Sequence, residues 1–402
     1  LITNTQRICL AAFFLDAALM VGLTALPFFV FHHLGGSAAV TGGIGSAQSF
    51  VYAAVCLGSS MAIARVHNAM GVAVAGALLF TGLFVGGHLT GNLYLYCGMV
   101  GLSTAGMSLV WPALHSWLGA KKEVALRTRA MGNFNIAWSL GLAVGALVGG
   151  WLYVEDPRLP FVAVALLGGL AAALIYTVPS REPHAPEPET PPMALREREQ
   201  LERLIPAAWV ANGVGWAMVI TTRMVFPKQL DDLVEVNALR ILFENEAPAL
   251  LTYGAARVYG ALAFTLSTCS CVLYYLMGRT QWWHGRSSII LVLQLLAALS
   301  VWTLGVTQSL VLMALSFALI GVNCGFCFFA SSYYCTANPA LTHRRMAINE
   351  GVVGAGGFAA PFAIGYIADA QGIPAAFKYA PAVVALLILV QVVMIWRARS
   401  KA

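Results

Sequence analysis

Charge is what this sequence lacks first. Asp, Glu, Lys and Arg make up only 10% of its 402 residues, while 59% are hydrophobic and the mean hydropathy is +0.77. A water-soluble core cannot hide that much apolar surface, so the composition predicts a polytopic membrane protein. Signatures of catalysis are missing too. No apolar run carries His-Glu-x-x-His, a paired-aspartate motif or a serine nucleophile with a base, and no nucleotide-binding loop is present. The chain is therefore predicted to be neither an enzyme nor a primary pump, and no cofactor or metal is implied. Asn-x-Ser/Thr sequons are absent, which points to a bacterial inner membrane. Strand-like alternation is lacking as well, which disfavours a barrel.

What is present is a train of apolar runs, each long enough to cross about 30 Å of hydrocarbon as helix. They are placed at 8–32, 38–64, 70–89, 92–119, 129–152, 159–178, 204–225, 249–277, 287–306, 309–335, 347–367 and 374–396. The predicted fold is thus all-α, with twelve transmembrane helices in two six-helix bundles, 1–178 and 204–402. A polar linker, 179–203, joins them, its Pro-rich first part read as extended chain and its charged second part as a candidate short surface helix. The first run is too long for a signal peptide and lacks a small-residue cleavage site, so it is read as a retained helix.

Cations set the orientation. Arg7, Arg65, Lys121, Lys122, Arg129, Arg279, Arg286, Arg344, Arg345 and Arg397 fall at the termini and on one set of connections, whereas the opposite set holds chiefly Arg158, Arg223, Lys228, Arg240 and Lys378. Both termini are expected to be cytoplasmic. The net charge of +6 reflects that asymmetry and suggests no nucleic-acid partner. A segment near 226–248 with Lys228, Asp231, Asp232, Glu235, Arg240, Glu244 and Glu246 reads as an interfacial helix or cap, or a solvated loop. The eight cysteines lie in or beside apolar runs, and Cys324-Gly-Phe-Cys327 reads as helix packing, having no second pair or nearby His.

The two halves repeat each other. A stretch from Arg129 through Gly141, Gly145, Gly149 and Gly150 aligns, at one offset, with a stretch from Arg344 through Gly356, Ala360 and Gly365. In the first copy the glycines are spaced Gly132-x8-Gly141-x3-Gly145-Ala146-x2-Gly149-Gly150; in the second, Pro361 stands where the first has Ala146. Glycines three and four apart share a helix face and let a neighbouring backbone approach closely. This pattern resembles a fifth-helix motif of the major facilitator superfamily, with a likeness to its drug/proton antiporter-like members, and the resemblance covers essentially the whole chain. A second family motif, between helices two and three, is reduced here to Arg65. The resemblance implies two bundles that rock against each other, with Arg65, Arg129, Gly141, Gly145, Gly149, Gly150, Arg344, Gly356, Pro361 and Gly365 serving the conformational change.

Charges inside the bilayer are costly, about 2.5–3.5 kcal/mol at a helix centre on insertion scales. Asp16, Arg257 and Glu350 lie within apolar runs and are the candidates for proton coupling. Asp16 is expected about 12 Å deep, at a depth where Arg257 is a possible partner. A carboxylate withdrawn from water takes up a proton more readily and releases it when a cation or cargo approaches, which makes Asp16 the predicted carrier; a structural ion pair is the competing reading. Glu350 is expected near the interface with Arg344 or Arg345, and Arg223 and Asp369 are read as interfacial charges. Cavity candidates are Gln48, Tyr52, Trp111, Asn133, Asn135, Trp138, Asn212, Trp216, Tyr259, Asn323, Tyr333 and Tyr334, a mixture that suits an amphipathic cargo. With Arg257 taken as the only deep cation, a strongly anionic cargo is not expected. The sequence thus predicts a monomeric secondary transporter of a small-molecule substrate in the lipid bilayer, coupled to protons and exporting; uptake of a polar metabolite by symport, or a non-transporting receptor on the same fold, remain the alternatives.

Overall fold

Apolar windows of at least 18 residues with mean hydropathy between 1.3 and 2.3 form twelve helices, each long enough to cross a membrane. They are α1 (Asn4–His33), α2 (Ala38–Ile63), α3 (Ala69–Leu89), α4 (Leu93–Gly119), α5 (Val124–Glu155), α6 (Leu159–Tyr176), α7 (Leu195–Glu235), α8 (Gly254–Met277), α9 (Ser287–Val306), α10 (Leu310–Cys335), α11 (Thr342–Gln371) and α12 (Ile373–Arg399). The computed structural model describes residues 2–63, 68–119, 124–180, 195–241, 254–338 and 341–399. Arg65, residues 181–194 of the expected linker, and Glu244 and Glu246 lie outside these, as does the side chain of Arg129. No named strand occurs among the described residues; Arg240 and Ser309 form an isolated bridge.

Helix ends follow local chemistry. Thr3 opens α1 with a capping box, its hydroxyl accepting from the Gln6 backbone N–H at 3.3 Å while the Gln6 side chain accepts from the Thr3 N–H at 2.9 Å. Asn68 caps α3 through the Gly71 N–H at 2.8 Å. Gly372, at φ 85°, supplies the left-handed residue that separates α11 from α12.

The packing repeats with a shift of six helices. In the first half α1 lies on α5 and α6, α3 on α4 and α6, and α2 on α4; in the second, α7 lies on α11 and α12, α9 on α10 and α12, and α8 on α10. The halves meet along α2 with α11 and α5 with α8, a pair of contacts that maps onto itself under the same shift. Central and lipid-facing helices are distinguished by burial: 72% of the apolar window of α1 is buried, against 22% for α12.

The glycines make these contacts possible. A Cβ on Gly141 would lie 2.3 Å from the Phe13 carbonyl oxygen and one on Gly145 2.4 Å from that of Ala17, so both seat α5 on α1 within the first half. In the second copy Gly356 seats α11 on α7 against Gly213. The last glycine of each copy instead faces the other half: Gly150 meets Ala256 of α8, and Gly365 meets Ala38 of α2. Pro361 lacks the N–H of an ordinary helical residue, and the next N–H, of Phe362, donates to the Ser46 hydroxyl of α2 at 3.0 Å.

α7 departs furthest from the sequence reading. α7 runs from Leu195 to Glu235, longer at both ends than 204–225, so the charged second part of the expected linker and residues 226–235 of the expected cap are both helical. The charges there pair within the helix, as in Arg198 with Glu202 and Lys228 with Asp232. The expected start of the eighth span, 249–253, lies outside the described residues, and α8 is described from Gly254.

Candidate functional site

Between the halves lies a narrow central cavity with about 20 Å³ of free volume, room for about one water in this conformation. The first half contributes Trp138, Ser139 and Leu142 of α5. From the second come Trp216, Val219 and Arg223 of α7, Leu266, Ser267, Ser270 and Tyr274 of α8, and Cys324 of α10. Aromatic rings converge here across the seam. Trp138 and Tyr274 are 5.5 Å apart between centroids, and Phe328 of α10 touches Trp138, Trp216 and Tyr274 at 6.1–6.3 Å.

Two opposite charges from different halves are buried at this level. Asp16 lies on the α1 turn between Phe13 and Ala17, whose backbones seat Gly141, and is 4% exposed. Its Oδ2 has no hydrogen-bond partner. The cation whose charge acts on it is Arg223, which is 7% exposed and whose Nε is also unpartnered. The two interact through space without forming an ion pair within 4 Å.

This corrects two expectations. Arg223 is not an interfacial charge, because α7 continues twelve residues past it. Arg257 is not the partner of Asp16 and is not deep: it stands in the first turn of α8, pairs with Glu155 of α5 and stacks over Trp151, its guanidinium carbon 4.4 Å from the ring centroid. The inference that Arg257 is the only deep cation falls with it.

Arg257 belongs to a set of contacts that ties the halves together at the end opposite the termini. His32 of α1 bonds Asp231 of α7 at 2.9 Å and Tyr153 of α5 at 3.2 Å. Asp369 of α11 accepts from the Ser37 hydroxyl and, at 3.1 Å, from the Ala39 N–H. That carboxylate thereby caps the start of α2, where the helix dipole favours negative charge. Nearer the termini, Tyr52 of α2 donates to Glu350 of α11 at 2.9 Å. Glu350 therefore reaches across the seam rather than pairing with Arg344 or Arg345; Arg344 is exposed, and Arg345 bonds Glu202 at 3.2 Å.

Of the sequence-derived cavity candidates, Trp138 and Trp216 line the central space. Asn135 accepts from the Trp138 indole N–H at 3.1 Å and so fixes that ring. Tyr259, fully buried, donates to the Arg223 carbonyl at 3.2 Å, and Asn323 is buried with its Nδ2 unpartnered one residue before Cys324. Gln48 donates to the Val100 carbonyl at 3.4 Å, and Asn212 donates to Asn349 at 3.1 Å, both ties within one half. Trp111 packs edge-on to Phe134, and Asn133 is exposed. Tyr333 and Tyr334 pack instead around Trp283 of the α8–α9 connection, apart from the cavity. Sequence reasoning missed Arg223, Ser267, Ser270, Tyr274 and Phe328. A signal for the first existed: the amphipathic pattern after Phe226, with Lys228 and Asp232 one helical turn apart, extends α7 and carries Arg223 inward.

Solved transporters share this architecture. The nucleoside transporter NupG aligns with a TM-score of 0.72 at 13% identity, covering 98% of this chain and 99% of that one. A transporter of the POT family, solved with a thioalcohol-conjugated peptide, gives 0.70 at 13% identity over 98% and 96%. A bacterial homolog to the human lysosomal transporter Spinster, inward-facing and occupied, gives 0.69 at 13% identity over 99% and 96%. At such identities the likeness speaks for the fold. No curated protein sequence matches the chain. The sequence model of the Major Facilitator Superfamily matches residues 8–340, and with twelve helices packed as two related bundles around a central cavity, the chain belongs to that superfamily.

Proposed function

We propose that this chain is a secondary active transporter that moves a small, partly apolar molecule across a bacterial inner membrane by alternating access, with Asp16 as its proton site. One observation carries the reading: the cavity lies on the seam, walled by both halves, with Arg223 of one half in its wall and the buried, unpartnered carboxylate of Asp16 from the other half acting on that cation through space. A charge held there without a partner is costly. A proton, a cation or a closer approach of Arg223 each neutralises Asp16, which is what coupling requires. Tyr52–Glu350 is a second contact across the seam that a proton on Glu350 would alter. The termini face the cytoplasm in this reading, so the tied end is the outer one and the conformation is closed to the outside. Arg257 then serves that closure and not coupling.

The glycine motif suggested export in exchange for protons. In the structure its glycines seat α5 on α1 and α8, a packing role that serves either direction. Arg223 favours the alternative, co-transport of proton and cargo, because a cavity holding a buried cation does not suit a cationic cargo that would compete with the proton. Proteoliposomes of known orientation, given a pH gradient while cargo and proton fluxes are followed, test this. Movement of both in one direction supports co-transport, opposite movement supports exchange, and cargo binding without flux refutes transport altogether.

A further inference from the structure

We infer that the central cavity is a binding site for an organic monoanion, its negative group held by Arg223 and its apolar body lying among Trp138, Trp216 and Tyr274; this names the cargo class and rests on the alternating-access reading above. Three side chains that line the cavity leave a buried polar atom without a partner: the Arg223 Nε, the Trp216 Nε1 and the Ser267 hydroxyl. Each can donate a hydrogen bond. The hydroxyls of Ser139 and Ser270 on the same wall are already engaged, with the Asn135 and Gly321 carbonyls, both at 2.8 Å. The wall therefore offers donors and a cation to whatever fills the space, which is the complement of a carboxylate or a similar acceptor-rich anion.

The surrounding charges make the same point. The titratable groups that face Arg223 are Asp16 on α1, Tyr259 and Tyr274 on α8, and Cys324 on α10. Among these only Asp16 is a carboxylate, and it does not reach bonding distance. The titratable group acting on Asp16 is Arg223 of α7. An anion bound at Arg223 and a charged Asp16 are two negative charges beside one cation, and they oppose each other. With Asp16 protonated, the bound anion becomes the sole counter-charge of Arg223, so loading with the anion and loading with the proton reinforce each other. Aromatic and aliphatic wall residues, the three rings with Leu142, Val219 and Leu266, leave the remainder of the ligand an apolar environment.

The test is binding to the purified full chain, read as tryptophan fluorescence, since Trp138 and Trp216 form the wall. Two series keep the apolar body and change the head group from anion to neutral isostere to cation: cinnamate, cinnamamide and cinnamylamine, and octanoate, octanamide and octylamine. The expected result is that in at least one series the carboxylate binds about tenfold or more tightly than its amide and its amine, and that Arg223→Gln removes this preference. Amide or amine binding as tightly as the carboxylate in both series overturns the inference, as does a preference unchanged in Arg223→Gln. Should that variant fail to fold, Trp216→Phe and Ser267→Ala each remove one donor and keep the charge. Each is expected to weaken the carboxylate about threefold or more without weakening the amine, and unaltered carboxylate binding in both again overturns the assignment. Flux in proteoliposomes separates this inference from the transport reading. A carboxylate that binds with the Arg223 dependence but does not cross leaves the anion site standing and refutes transport, whereas flux of the amine in preference to the carboxylate does the reverse.

Discussion

Gly150 and Gly141 lie nine residues apart on one helix, yet they are expected to do different things when enlarged. A Cβ on Gly150 would stand 2.3 Å from the Ala256 carbonyl oxygen and 3.2 Å from the Arg257 Cα of the opposing half; one on Gly141 would stand 2.3 Å from the Phe13 carbonyl oxygen of its own half. An ordinary carbon–oxygen contact is about 3.3 Å or more, so in each case the facing helix must retreat by about 1 Å. Overpacking of that kind costs about 1–3 kcal/mol. For Gly141→Ala the cost falls on both facing states alike, because α1 and α5 move together, and it shows as lower thermal stability. For Gly150→Ala it falls on the state in which α5 and α8 are in contact, and 1–3 kcal/mol shifts a two-state balance by about 5–150-fold toward opening at the end opposite the termini. Spin labels at Leu159 and Val306, exposed residues at that end on the two halves, report the balance by electron–electron distance measurement in a background with the native cysteines replaced. Longer distances in Gly150→Ala and parental distances in Gly141→Ala are expected. Identical distance distributions in the two variants would refute the division of these glycines into a within-half and a between-half role.

The same labels test the polar ties at that end. His32→Phe and Asp231→Asn each remove a partly exposed contact worth about 0.2–1 kcal/mol, and each is expected to shift the distances the same way but less than Gly150→Ala; no shift in either variant would remove this pair from the closure. Asp16→Asn is expected to abolish proton-driven accumulation while leaving the protein folded and able to exchange cargo, and full accumulation under a pH gradient would rule out Asp16 as the proton site. Tyr52→Phe deletes the hydrogen bond to Glu350 and is expected to lower stability by about 1 kcal/mol, with unchanged thermal unfolding as the contrary result.

The helices and their duplication were legible because membrane helices are written in apolar length and because the motif repeats at one offset. Asp16 was legible as well, since a carboxylate within an apolar run is conspicuous from composition alone. Arg223 was not. Its depth depends on where α7 ends, and hydropathy falls after Phe226 although the helix continues to Glu235, polar residues being tolerated where they pair at helical spacing. Arg257 was misplaced because an arginine within an apolar run reads as deep, whereas its partner, Glu155, closes α5 at the end opposite the termini. Tyr274 and Phe328 sit among other aromatics in apolar helices, and one-dimensional spacing does not tell which face meets the opposite half.

The matched glycines also align the two central helices. Gly141 rests on the Phe13 carbonyl and its counterpart Gly356 on the Gly213 carbonyl, which sets Phe13 of α1 level with Gly213 of α7. On that alignment Asp16 corresponds to Trp216, and Arg223 corresponds to Leu23. Neither charge has a counterpart in the other half. At 1.5 Å per residue, the seven positions between Trp216 and Arg223 place the Arg223 Cα about 10 Å further along the bundle than that of Asp16. Side chains on a helix lean back toward its start, so the guanidinium is directed toward the Asp16 level, which accounts for a through-space interaction without a bonded pair. A symmetric scaffold suits two facing states of similar packing, and under the proposed function an unsymmetric pair of charges would hold cargo and proton at different depths. On this account, swapping the two residues as Asp16→Arg with Arg223→Asp would keep the net charge but not the geometry, because the exchanged groups would face different walls.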